Sequence, residues 1–156
     1  MKVKVLVVGK TKESWCRDGE KFYFDRVQHF CDLQKVEVAE EKITESMTDK
    51  EIVQREGLRL LSRIGSDEFV VVLTPSGKKL SSKDFADLFR EVRDYKGGKI
   101  TFLIGGPLGL SNEVIGSAQA KISFSDMTFP HDLFRIMLLE QIYRAFSILV
   151  GKKYHK

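Results

Sequence analysis

Ile100–Pro130, ITFLIGGPLGLSNEVIGSAQAKISFSDMTFP, is the stretch around which the rest of the chain is organised. Residues 100–104 are mostly β-branched or aromatic and read as a buried strand. Gly105-Gly106-Pro107-Leu108-Gly109 follows at once. So many glycines beside a proline make a rigid turn whose backbone a ligand can approach closely. A second strand, 121–124, then runs into Ser125-Asp126-Met127-Thr128-Phe129-Pro130. Ligands of parallel α/β sheets sit just beyond the carboxyl ends of strands, so these two loops mark the expected site. The plainer alternative is a pair of tight turns in a compact sheet.

Outward from this stretch the chain alternates between strand and helix signals. Residues 2–8 predict a strand, and 18–30 a helix with Phe22, Val27 and Phe30 turned to the core. A short strand is expected over 35–39. Thr48 or Asp49 then caps a helix to about residue 64, with Ile52, Val53, Leu60, Leu61 and Ile64 at helical spacing. The near-continuous apolar run 69–73 is the mark of a strand buried on both faces, and Thr74-Pro75-Ser76-Gly77 turns the chain. Ser81 or Ser82 opens a helix to about residue 95, with Phe85, Leu88, Phe89 and Val92 inward, and Gly97-Gly98 stops it. A short helix over 112–119 separates the last two strands. The alternation implies a three-layer α/β fold with a mostly parallel sheet, formed as one domain over 1–156.

Composition narrows the function. A content of 42% hydrophobic and 31% charged residues describes a globular chain with a sizeable core. No apolar run approaches the roughly 20 residues that span a bilayer, and MKVKVLVVG reads as a first strand, not a signal peptide. Cys16 and Cys31 lack metal-ligand spacing, so reduced thiols in a cytoplasmic protein and no metal site are expected. The net charge of +4 permits nucleic-acid binding. Lysines gather at Lys10 and Lys12, at Lys78 and Lys79, and at Lys152, Lys153 and Lys156, while Glu37, Glu40, Glu41 and Glu45 form an acidic stretch. If the basic clusters share a face, they make an RNA-backbone footprint.

Several motifs are excluded. Gly9-Lys10-Thr11 suggests a phosphate loop, but the first glycine of that motif would fall on Lys4. No GxGxxG follows the first strand, and neither Ser76 nor Ser111 sits in GxSxG. The final helix, from about Pro130 to Val150, is apolar nearly all round, with Arg135, Glu140 and Arg144 as exceptions. Such a helix is buried on two sides. A second copy of the chain is the simplest cover for the outer side, with Leu139, Tyr143 or Phe146 at the interface.

IGGPLGL, FSDMTFPH, RIMLLEQIYRAF and the terminal KKYHK together resemble the small SPOUT-class RNA methyltransferases that modify a pseudouridine of large-subunit ribosomal RNA. The resemblance runs from KVLVVGK to the tail. It implies a C-terminal trefoil knot, which no periodicity could have indicated. It further implies S-adenosylmethionine as cofactor, held at Leu73, at Gly105 and at Phe124, Ser125, Asp126, Met127, Thr128 and Phe129. Asp126 stands where relatives often carry lysine, and Thr74-Pro75 replaces an acidic-aliphatic pair. The rival reading is a non-catalytic RNA- or nucleotide-binding module with decayed cofactor loops, and those two departures are all that favours it.

The implied acceptor is N3 of pseudouridine, an imide that must lose a proton. His29 reads as structural and His131 as a helix cap. Tyr154 and His155, beside the lysines of the tail, are the candidate catalytic pair: a titratable imidazole and an aromatic able to stack on a base. The last helix, about 20 residues at 1.5 Å each, carries the tail ~30 Å from the cofactor loop. The five residues after Gly151 reach back at most ~18 Å. The tail is therefore expected to serve a partner's site in a homodimer acting on ribosomal RNA or the ribosome.

Overall fold

The computed structural model describes residues 1–44, 46–152 and 154. Five strands and five helices alternate: β1 (Lys2–Val8), α1 (Ser14–Gln28), β2 (Asp32–Val38), α2 (Asp49–Leu61), β3 (Phe69–Lys79), α3 (Ser82–Tyr95), β4 (Lys99–Ile104), α4 (Asn112–Ser117), β5 (Ala120–Ser123) and α5 (His131–Leu149). The strands form one sheet in the order β2-β1-β4-β3-β5, and every pairing between neighbours is parallel. All strand ends of one polarity therefore meet on one edge. Because β4, β3 and β5 are adjacent there, the loops leaving them are neighbours too.

Strand alternation builds the three layers. Val3, Val5 and Val7 of β1 point to one side with Phe102 and Ile104 of β4, where α1, α3 and α5 pack. Leu6 and Val8 point to the other with Leu103, against α2 and α4. Helix starts follow local chemistry. Thr48 and Ser81 each close a capping box, with Glu51 and Asp84 respectively. Gly97 and Gly98 both take positive φ after α3, which only glycine does at little cost.

Three expectations need correction. First, α1 begins at Ser14, a full turn before residue 18, because its N-cap Glu13 makes no side-chain cap bond that the sequence could advertise. Its inward face carries Cys16, Glu20 and Val27, while Phe22 is 50% exposed. Glu20 stays inside because Lys35 Nζ lies 2.6 Å from its Oε2 and the Thr11 hydroxyl donates to its Oε1. Second, residues 74–77 do not end β3. Leu73 and Lys78 both pair with Ile122, so the four residues bulge from the ladder and the strand resumes with the two lysines. Gly77 is required there, since a Cβ would strike the Ile122 backbone.

The third concerns α5, which lies on the sheet between α1 and α3. A helix with neighbours below and on both flanks must be apolar over most of its circumference, so its composition is largely explained within the chain. Leu139 and Phe146, nominated for an interface, are already core residues. Ile136, Met137 and Tyr143 are half-buried. Arg135, one of the polar exceptions, is only 1% exposed. Its Nη2 donates to Val8 O at 2.7 Å and Gly9 O at 3.3 Å, carbonyls left open at the end of β1, and its Nη1 donates to the Thr11 hydroxyl oxygen at 3.0 Å.

Candidate active site

A cavity of about 520 Å³ opens at the carboxyl edge of β4, β3 and β5. From β3 it takes Leu73 and the bulged Thr74 and Pro75; from β4, Gly105 and Gly106; from the loop after β5, Phe124, Ser125, Met127, Thr128 and Phe129. Seven of the eight residues expected to hold a cofactor thus share one cavity. Asp126 does not. Its side chain is 81% exposed and pairs with Lys79 outside the cavity. A second cavity of about 430 Å³, between α3 and α5, shares only Ile122 and Phe124 with the first.

The two loops are held by their own backbones. Gly109 N–H donates to Gly106 O at 3.0 Å, and Gly109 takes φ +89°. A Cβ on Gly105 would collide with the Gly109 carbonyl and stand 2.9 Å from Leu110 Cγ. The glycine at 105 is thus required by the fold of the loop itself, not only by space for a ligand. In the β5 loop, Ser125 Oγ accepts the Met127 N–H at 2.9 Å, and Ser123 Oγ donates to Ser125 O at 2.9 Å.

Behind the glycine loop stands Glu56 of α2, which no spacing in the sequence distinguished. It is buried; its Oε1 accepts the Glu41 N–H at 3.0 Å, and its Oε2 has no hydrogen-bond partner among the described residues. Burial pushes its carboxyl up, with Glu40 adding to the shift and the Glu41 N–H opposing it. The next residue, Gly57, admits the Ser111 hydroxyl that caps α4.

His131 lines the cavity as the first residue of α5. It is not a cap, because Pro130 holds that position without a side-chain bond. His131 Nε2 lies 3.1 Å from Asp132 Oδ1, which makes no hydrogen bond among the described residues. The other oxygen, Oδ2, accepts the Lys12 N–H at 2.9 Å. His29 is the exposed C-cap of α1.

Tyr154 lies away from this cavity, against its own α5. Its hydroxyl donates to Glu140 Oε1 at 3.2 Å, and its ring meets Tyr143 edge-on at 4.7 Å. Arg144 Nη2 reaches the same Glu140 oxygen at 2.6 Å. Burial, with Tyr23 and Glu140 beside it, pushes the phenol up, so it stays a donor at neutral pH. The other candidate of the tail, His155, lies outside the described residues. Among the described residues no group of acidic, histidine and cysteine side chains is arranged to hold a metal ion. No helix among them is long and apolar enough to cross a membrane.

The cavity's size suits a nucleoside-sized ligand, and its walls mix apolar side chains with open backbone. Residues 1–155 match the family model described as "Predicted SPOUT methyltransferase". The chain belongs to the SPOUT methyltransferase family. Within it, the chain is 44% identical over 159 aligned positions to a protein of Clostridium botulinum (strain Kyoto / Type A2) named "Ribosomal RNA large subunit methyltransferase H", with all of both chains covered. A protein of the same name from Carboxydothermus hydrogenoformans is 43% identical, again over the whole of both. Two solved structures share the SPOUT chain's fold at low identity. "A probable methylase family protein" from Haemophilus influenzae Rd KW20 aligns with TM-score 0.54 and 16% identity, over 99% of this chain and 70% of that one. A "Probable Methyltransferase" from Bordetella pertussis Tohama I aligns with TM-score 0.53 and 14% identity, over 92% and 93%.

Proposed function

We propose that this SPOUT family member transfers a methyl group from S-adenosylmethionine to N3 of a pseudouridine in large-subunit ribosomal RNA. Residues 1–156 act as one domain, in the cytoplasm, as a homodimer whose C-terminal segment forms a trefoil knot. The observation that carries the reading is the cavity of β4, β3 and β5. It is supported by full-length similarity to proteins named as ribosomal RNA large subunit methyltransferases. Of the two departures that favour a decayed module, Asp126 stands outside the cavity and only Thr74-Pro75 lines it.

In this reading the open backbone of Gly105 and the loop residues Phe124, Ser125, Met127, Thr128 and Phe129 hold the adenosyl part, Asp126 contributes no side chain to it, and Leu73 supplies an apolar wall. When bound, S-adenosylmethionine supplies a methyl already activated by its sulfonium. The protein must align the acceptor and help it lose the imide proton. Tyr154 and His155 are assigned to that task. Tyr154 packs on α5 away from its own cavity, which supports delivery of the tail to a partner's site. Tyr154, kept protonated, donates a hydrogen bond; His155 is the proton acceptor. Half-buried Ile136, Met137 and Tyr143 and exposed Phe22 are the surface a partner would cover.

Calorimetry with S-adenosylmethionine tests the reading. One saturable site per chain, lost when the β5 loop is altered at Thr128 and Phe129, is the expected result. A folded protein that binds no S-adenosylmethionine would return the chain to the class of non-catalytic modules.

A further inference from the structure

Trp15 is the only tryptophan of the chain and is 58% exposed, at the first turn of α1. A single exposed apolar side chain is ordinary, but this one is set among features that are not. The segment from Gly9 to Glu13 precedes it, at the same sheet edge as the cavity, with Lys10, Lys12 and Arg17 all exposed. That segment is rigidly placed. Gly9 N–H donates to Val38 O at 2.8 Å, and Arg17 Nη1 donates to Lys12 O at 2.6 Å. The Lys12 N–H donates to Asp132 at 2.9 Å, and buried Arg135 holds Thr11. Asp132 follows His131, which lines the cavity, so the platform and the cavity share one turn of α5. The exposed Lys12 ammonium lies 3.2 Å from half-buried Glu40, a weak surface pair that a phosphate can displace.

We propose that Trp15 is a stacking platform for an unpaired base of the RNA substrate, with Lys10 and Lys12 taking the adjacent phosphates. The proposal rests on the RNA-methyltransferase reading above and adds the surface that seats the acceptor strand. An exposed indole that follows closely in the chain on exposed Lys10 and Lys12 suits single-stranded RNA, because every base offers a π-face and lysines can take the phosphates.

Having one tryptophan makes the test direct. The wild-type protein is titrated with a uridine-rich hairpin RNA, followed by intrinsic fluorescence and, with a dye-labelled copy of the same hairpin, by anisotropy. Quenching of Trp15 is expected to track the anisotropy curve. Trp15→Ala should weaken binding by about tenfold, the scale of one lost base stack, and Trp15→Phe should recover most of it, with unchanged thermal unfolding. Undiminished fluorescence and an unchanged Trp15→Ala affinity, while anisotropy still reports binding, would overturn the platform and leave the RNA reading standing. No anisotropy change at any concentration would overturn the platform for a free strand and leave the reaction on ribosomes to its own assay. Fluorescence that responds to protein dilution but not to RNA would place Trp15 between copies and overturn the proposal.

Discussion

Gly106 lies directly against the carboxyl group of Glu56: a Cβ built on the glycine would stand 2.9 Å from Glu56 Oε2. The wall of the cavity is therefore set from behind by α2. Gly106→Ala must displace the carboxyl or the loop, an overpacking cost of roughly 1–3 kcal/mol. Calorimetry should show weaker S-adenosylmethionine binding, with the far-ultraviolet spectrum unchanged.

The same carboxyl makes a pH prediction. Its folded pKa is raised by burial, so ionisation is disfavoured in the folded state. Below the unfolded value, about 4.3, the group is neutral in both states and costs nothing. As pH rises from there through the raised folded value, wild-type stability falls by this term. Urea unfolding of Glu56→Gln should therefore gain on wild type as pH rises across that window. A constant gap would mean that the carboxyl titrates normally.

Arg135→Met should destabilise the fold markedly. It strips the buried partner of Val8 O, Gly9 O and Thr11, and each buried acceptor left unpaired typically costs about 1–3 kcal/mol. Thr11→Val, which removes only the hydroxyl between Arg135 and Glu20, should cost about 1–3 kcal/mol. Chemical denaturation of both variants checks the order.

How far the sequence reveals this molecule depends on whether a residue's job is local. Strand β1 was legible, and each of the caps Thr48 and Ser81 as one of two neighbours, because periodicity and capping are written within a few residues. The cavity was legible as two glycine- and serine-bearing loops after strands, and the sheet order brings those loops together. Glu56, Glu20 and Arg135 were not. Each is a charged residue made buriable by partners far along the chain, and no pattern around it says so. Gly105 was legible as a glycine that must be one, but the reason differs, because the Gly109 carbonyl stands where its side chain would be. The dimer argument from an all-round apolar α5 weakened for a similar cause: α1 and α3 cover flanks that the sequence leaves open.

Assembly is now tested on the residues the fold leaves outward. Met137→Glu, on the half-buried face of α5, should convert a dimer to a monomer in sedimentation, with the fold retained. A charge at Leu139 should instead unfold the chain, because that residue is core. A wild-type protein that sediments as a monomer at micromolar concentration would remove the dimer from the account.

Delivery of the tail across that dimer is separable from cofactor binding. Deleting residues 154–156 should abolish methyl transfer and leave S-adenosylmethionine affinity nearly unchanged. Pairing that deletion with a chain disabled in its β5 loop should restore transfer at one of the two sites. A verified heterodimer without activity would mean that each chain uses its own tail or none.

The central claim is the reaction itself. Ribosomes from a strain lacking this protein, incubated with the purified chain and S-adenosylmethionine, should gain one methyl group on a large-subunit pseudouridine, located at N3 by mass mapping of the digested RNA. Ribosomal RNA that stays unmodified, with a protein that binds S-adenosylmethionine normally, would contradict it.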